Sequence, residues 1–186
     1  FKTAKAESKE ASLMLSNADL IFVCVSPNNI EEVFKTIKQS DTKKNLIVSD
    51  VASIKSDVVL LAKKYLKKIS FVGGHPIAGT EKSGFQNSDP NLFKNKIFIV
   101  SGSHGSKKCV GTISSIWRKL GTKVLTLDPK KHDKVFAYLS HLPHALSFCL
   151  SKTALKNFSK NDIVKFGGSS YRDYSRISSS SNKLWT

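Results

Sequence analysis

The sequence predicts an α/β fold, a parallel sheet built from βαβ units and followed by an all-helical segment. Three observations carry that reading. Short apolar runs of strand length alternate with helically spaced apolar residues as far as Leu127. The loops between them are short, which suits successive βαβ units. Beyond Asp128-Pro129 the strand patterns stop and only helical spacing remains.

In chain order, residues 1–17 read as a polar helix or the tail of one. Leu20-Ile21-Phe22-Val23-Cys24-Val25 is a continuous apolar run, as expected of a strand buried on both faces. Ser26-Pro27-Asn28-Asn29 turns the chain, and either asparagine is placed to cap a helix carrying Ile30, Val33, Phe34 and Ile37. Leu46-Ile47-Val48 is the second strand, closing on Ser49-Asp50-Val51-Ala52-Ser53. Val58, Leu61, Ala62 and Tyr65 mark the next helix. Ile69 to Val72 has the β-branched and aromatic content of a third strand, which Gly73-Gly74 is expected to end. Those two glycines also let the backbone pass close to a ligand or another segment.

Ile97 to Val100 and Lys123 to Leu127 complete the strands. The helix between them is lined by Val110, Ile113, Trp117 and Leu120 and stopped at Gly121. Gly102 to Lys107 faintly resembles a phosphate loop but does not fit GxxxxGK[ST], so a strand-to-helix turn is expected. Asp128 suits an N-cap and Pro129 a first helical turn. Val135, Leu139, Leu142 and Leu146 then predict one long helix, kinked by Pro143 beside His141 and His144. The expected division is therefore residues 1–127 as one domain and 128–186 as a second.

With 186 residues and a hydrophobic share of 40%, the chain suits one ample folded domain or two small ones. No apolar run approaches the ~20 residues of a membrane span, and no apolar stretch follows Phe1-Lys2-Thr3 to make a secretory signal. The net charge of +16 raises nucleic-acid binding as an alternative role. Only Arg118, Arg172 and Arg176 are arginines, however, and the lysines are spread over every helix. A solvated surface that attracts small anionic substrates is the expectation. Cys24, Cys109 and Cys149 are widely spaced and lie in apolar-patterned segments, which predicts buried, reduced thiols. No CxxC pair suggests zinc.

The densest polar stretch is Gly-Gly-His-Pro-Ile-Ala-Gly-Thr-Glu-Lys-Ser-Gly, residues 73–84. Pro76 holds the backbone of His75 extended, and the carboxyl end of a strand is where open α/β sheets place ligands. On local features, a surface turn with an incidental histidine competes with a ligand loop. His141 and His144 are three apart and could join His75 around a metal, yet no HExxH and no neighbouring carboxylate supports that. Structural residues at a helix kink is the plainer reading. Tyr171-Arg172-Asp173-Tyr174-Ser175-Arg176-Ile177 reads as a capped helix start in which Asp173 offsets the arginines.

The run from Gly73 to Gly84 closely resembles the motif of prephenate dehydrogenases, also called cyclohexadienyl or arogenate dehydrogenases. Asp50-Val51-Ala52-Ser53-Ile54-Lys55, Ser140-His141-Leu142-Pro143-His144, the 171–177 segment and Trp185 resemble further segments of that family, in its order. The similarity covers essentially the whole chain. It implies a partial Rossmann-like parallel sheet followed by a helical dimerisation segment, with NAD or NADP as cofactor and prephenate or arogenate as substrate. It also implies a cytoplasmic homodimer of tyrosine biosynthesis with no nucleic-acid or membrane partner. By resemblance, His75 is the catalytic contact to the substrate's ring hydroxyl and Ser53 supports it. His141 and Arg176 are substrate-binding positions, and Thr80, Glu81 and Asp173 are pocket or gating positions. Val25, Ser26 and Pro27, with Ser53, are cofactor-binding positions. A histidine is apt as a base near neutral pH, and an arginine fork as a grip on a dianionic substrate.

Two departures from the family stand out. The Gly-rich first βα turn is not among residues 1–19, and the helical segment stops soon after Trp185. The expectation is a chain truncated at both ends that leaves a sheet edge exposed, binds NAD weakly and does not turn over by itself. A non-catalytic fragment or a basic nucleic-acid-binding module is the alternative from another class.

Overall fold

The computed structural model describes residues 8–79 and 85–178. Thr80, Glu81, the rest of the loop to residue 84, the serine run beyond Ser178 and Trp185 lie outside the described residues. The chain divides into two compact units. The first comprises Phe1–Ala78 and Pro90–Asp133, the second Gly79–Asp89 and Lys134–Thr186.

The first unit is a five-stranded sheet in the order β1-β2-β3-β4-β5. Its strands are β1 (Leu20–Val23), β2 (Ile47–Asp50), β3 (Ser70–Ile77), β4 (Ile97–His104) and β5 (Lys123–Thr126). Helix α1 (Lys9–Asn17) precedes them, capped by Ser8, whose hydroxyl accepts from the Ala11 N–H. Helices α2 (Ile30–Gln39) and α3 (Ser56–Tyr65) cross between the first three strands, which run parallel.

The alternation of side chains along each strand feeds two cores, one on either side of the sheet. Val48 and Phe71 join Ile30, Phe34, Ile37, Val58 and Ala62 from α2 and α3. Val72, Phe98 and Val100 face the other way, toward Ile113 and Trp117 of α4 (Lys107–Lys119). There the Trp117 indole stacks on Phe98 with ring centroids 4.2 Å apart and meets Phe22 and Phe93 edge-on. Gly121, at φ 86°, ends the helix in the left-handed conformation expected of it.

Several expectations need correction. The first strand stops at Val23 and is only half-buried over most of its length, because β1 lies at the end of the strand order and pairs with β2 alone among the described residues. Asn29 stands at the N-cap of α2 but its side chain makes no capping bond; Pro27–Asn29 forms a 3-10 turn instead.

Gly73-Gly74 does not end β3. The strand runs through both glycines to Ile77, and its pairing with β4 shifts register between Val72 and Gly74. A Cβ on Gly73 would stand 2.2 Å from the Ser101 carbonyl oxygen, and one on Gly74 would stand 2.5 Å from the Phe98 ring. The glycines therefore mark a bulge where neighbouring strands come too close for any side chain.

The sheet is not wholly parallel either. β3 and β4 are antiparallel, from Phe71 opposite His104 to Ile77 opposite Ile97. A parallel return needs a crossover, usually a helix, and the described residues between these strands hold only the short 3-10 turn Phe85–Asn87. α4 does provide a crossover, and β4 and β5 are parallel.

Helix α5 (Pro129–Phe136) begins as the sequence predicts, with the Asp128 carboxylate accepting from the Lys130 and Lys131 N–H groups. A π-helical segment, Ala137–His141, then leads into α6 (Leu142–Asn157). The irregularity expected at Pro143 thus takes the form of a widened turn just before it, which accommodates a residue without an N–H. α7 (Lys160–Phe166) is capped by Ser159, and α8 (Ser169–Ser178) packs on α6. The Ser147 hydroxyl donates to the Tyr174 carbonyl, and the Ser151 and Ser178 hydroxyls lie 2.8 Å apart.

The cysteines are free thiols, but Cys24 and Cys149 are exposed rather than buried. Cys24 follows the last paired residue of β1, and Cys149 lies on an outward side of α6. No described helix is long and apolar enough to cross a membrane.

Candidate active site

The parallel strands β1, β2 and β3 deliver their carboxyl ends side by side, with Val23 opposite Asp50 in the ladder. That edge is where ligands bind in open α/β sheets. Val25, Ser26 and Pro27 leave β1 there; Val25 is exposed and the other two half-buried. Ser53 is exposed in the loop after β2. His75 sits within β3, just past the bulge, and is half-buried.

Beneath that edge lies a buried polar network. Asp50 is fully buried, and one of its carboxylate oxygens accepts from the Ala52 N–H at 2.9 Å and from the Lys55 ammonium. The other accepts from the Gly74 N–H at 3.1 Å, which ties the end of β2 to the residue before His75. Lys55 is fully buried too, and burial lowers its pKa against the pull of Asp50 and, further away, Asp133. A buried ion pair of this kind holds only because hydrogen bonds satisfy its remaining groups.

Asp133 of α5 closes the N-terminus of α3. One of its oxygens accepts from the Lys55 N–H and the other from the Ser56 N–H, each at 2.8 Å. The same carboxylate meets His132 Nδ1 at 2.9 Å, and His132 Nε2 lies 2.8 Å from His75 Nδ1. The two imidazoles stand 65° apart with centroids at 5.0 Å. His132 is fully buried, and that burial lowers its pKa although Asp133 opposes the shift. Burial alone would raise Asp133, but hydrogen bonds from Ser56, His132 and Lys55 outweigh it and hold the carboxyl below its ordinary range.

The network was only partly legible in the sequence. The family resemblance marks His75 and the segment that contains Asp50 and Lys55. His132 and Asp133 were missed, since Lys130-Lys131-His132-Asp133-Lys134 looks like a solvated helix start. The available signal was a histidine one turn into a helix that immediately follows the last strand.

The remaining expected site residues belong to the second unit. His141 closes the π-helical segment and is half-buried, while Asp173 and Arg176 are exposed on α8. His144 Nδ1–H donates to the Ser140 carbonyl at 2.8 Å, so this histidine braces its own helix. Among the described residues no group of three or more metal-ligating side chains could hold an ion.

Comparison with known proteins gives concordant results. A family model described as prephenate dehydrogenase, nucleotide-binding domain matches residues 3–126, and one described as prephenate dehydrogenase, dimerization domain matches residues 128–186. A prephenate dehydrogenase of Lactococcus lactis is 33% identical over 172 residues, covering 91% of this chain and 47% of that protein. A cyclohexadienyl dehydrogenase of Zymomonas mobilis is 28% identical over 171 residues, covering 90% of this chain and 58% of that protein. Among solved structures, prephenate dehydrogenase from A. aeolicus in complex with hydroxyphenyl propionate and NAD+ superposes with a TM-score of 0.84 at 32% identity. That match covers 94% of this chain and 61% of the other. The chain thus spans about half the length of the curated relatives it matches.

Proposed function

The chain belongs to the prephenate dehydrogenase family, and from that premise we propose that the intact protein oxidises and decarboxylates prephenate, or its amino counterpart arogenate, with NAD or NADP. The observation that carries the reading is His75. It stands near the carboxyl end of β3, past the ends of the parallel strands β1 and β2, within the family's long motif, and is backed by a hydrogen-bonded chain to Asp133.

The residues present fit a dinucleotide. Val25 and Ser53 remain exposed at neighbouring strand ends, where open α/β sheets place dinucleotides, one offering an apolar surface and the other a hydroxyl. Val25, Ser26, Pro27 and Ser53 would hold it. When bound, the nicotinamide supplies the hydride acceptor for the ring carbon that bears the hydroxyl.

His75 takes the hydroxyl proton, so that the oxygen can form a carbonyl as the carbon is oxidised. The bond from the opposite ring carbon to the carboxylate then breaks, carbon dioxide leaves, and the electron pair moves through the ring to the carbonyl oxygen, which takes the proton back from His75 to make a phenol. Aromatisation drives this last step. By resemblance to the family, Ser53 supports the hydroxyl end, His141 and Arg176 carry the substrate-binding role, and Thr80, Glu81 and Asp173 the pocket or gating role. Arg176 serves binding more than rate, because a guanidinium on the departing carboxylate stabilises the ground state too.

The segment 128–186, over which the dimerization-domain model matches, pairs two copies into a homodimer. Its support is the dimerization-domain match and the apolar side chains left exposed on α6 and α7. The test of function is to give the intact protein prephenate or arogenate with NAD+ or NADP+ and to follow reduced nicotinamide together with carbon dioxide. Equimolar release of both is expected with at least one pairing; no reduction with any pairing overturns the proposal.

A further inference from the structure

The chain His75–His132–Asp133 has a direction, and hydrogen-bond chemistry fixes it. An ionised carboxylate only accepts. The ring proton facing Asp133 must therefore sit on His132 Nδ1, 2.9 Å away. A neutral imidazole has one N–H, so His132 Nε2 carries a lone pair and can only accept. Its neighbour at 2.8 Å is His75 Nδ1, which must then be the donor. That assignment leaves neutral His75 with its lone pair on Nε2.

We infer that His132 and Asp133 are positioning residues that hold His75 in the tautomer protonated at Nδ1, making Nε2 its basic atom. The inference rests on the reading of His75 as the base. Its anchor is Asp133, whose two oxygens are fixed by backbone N–H groups at the start of α3 and so cannot turn away from His132. The complete burial of His132 and its lowered pKa agree, since both keep this ring neutral beside the carboxylate. In the reaction the hydroxyl proton passes to His75 Nε2, the O–H electron pair stays on the substrate oxygen, and the Nδ1–H bond to His132 is kept throughout. The imidazolium so formed faces a ring polarised by Asp133 rather than bare apolar surroundings.

Two variants separate this role from mere packing. His132→Phe keeps a planar ring but removes the acceptor that holds the His75 proton on Nδ1. His132→Gln restores an acceptor oxygen toward His75 and an N–H toward Asp133. The measurement is nitrogen NMR of the histidine side chains in the full protein, without nucleotide or substrate, at a pH where His75 is neutral. Wild type should show His75 protonated at Nδ1; His132→Phe should shift the proton to Nε2, and His132→Gln should restore it. In turnover, His132→Phe should lower kcat about 10²-fold, the low end of a positioned base's contribution, with KM little changed. His132→Gln should recover most of that loss. A wild-type His75 protonated at Nε2, or a tautomer indifferent to His132→Phe, overturns the inference. A tautomer that moves as stated while kcat does not would leave the device standing and overturn His75 as the base.

Discussion

The two units of this chain solve the burial problem differently. The α/β unit encloses a dozen large side chains almost completely, including Phe34, Phe71, Phe98 and even Lys55. The helical unit, among its described residues, buries only Ser147 fully, while Leu139 is 76%, Val164 74% and Phe166 72% exposed. A sheet with helices on both faces buries its apolar side chains within the unit. The three helices α6, α7 and α8 leave much apolar surface in water, and surfaces of this kind mark interaction sites. The lesson is a division of labour. The first unit holds a buried ion pair and a hydrogen-bonded histidine chain in its interior, whereas the second leaves its large apolar side chains in water, as the proposed dimer requires.

Breaking the first unit should have the largest effect. Asp50→Ala leaves the Lys55 ammonium buried and unpaired and also frees the Ala52 and Gly74 N–H groups. A loss of about 3–5 kcal/mol is expected in urea unfolding, the usual cost of breaking one side of a buried pair. Gly74→Ala comes next. Its new methyl would meet the Phe98 ring at 2.5 Å and the Asp50 carbonyl oxygen at 2.7 Å, and overpacking of this sort costs about 1–3 kcal/mol in the same assay.

The contrasting change is Phe166→Ser in the helical unit. With that side chain already in water, unfolding of the monomer should move by no more than about 0.5 kcal/mol. Sedimentation should instead show weaker self-association. If Phe166→Ser unfolds the protein as badly as Asp50→Ala, the division of labour is wrong.

The smallest effect concerns pH. The folded protein lowers the pKa of His132 by burial and that of Asp133 by hydrogen bonds that outweigh its burial. In both cases the unfolded chain binds protons more readily, so stability rises with pH through these ranges. The His132 contribution is intact above about pH 6.5 and is lost as pH falls through its folded-state pKa; that of Asp133 follows below about pH 4. Unfolding midpoints of wild type should therefore drop between pH 7.5 and 5.5 more than those of His132→Phe. Equal drops would remove His132 from the pH dependence.

What the sequence revealed follows the same contrast. Strands and helices of the first unit were legible because each has its own periodicity and a definite end, as at Gly121 and Asp128. The antiparallel return of β4 was not, since orientation depends on the connection rather than on any pattern within the strand. Gly73-Gly74 was misjudged as a strand end because local propensity says nothing of the Ser101 and Phe98 atoms that crowd those positions. His75 stood out only through a long motif. His132 stayed hidden because a buried, charge-flanked histidine looks the same in sequence as one on a solvated turn, until the fold brings His75 against it from 57 residues away and the Ser56 N–H against the neighbouring Asp133 from 77.

In the proposed reaction His75, held from behind by this network, is the base. The direct measurement is steady-state oxidation of prephenate by the intact protein and by its His75→Asn variant, with the NAD dissociation constant determined for each. A kcat lowered about 10²–10⁴-fold is expected, with NAD binding nearly unchanged. A variant that keeps more than about half of the wild-type kcat contradicts it, because a positioned base cannot be worth so little.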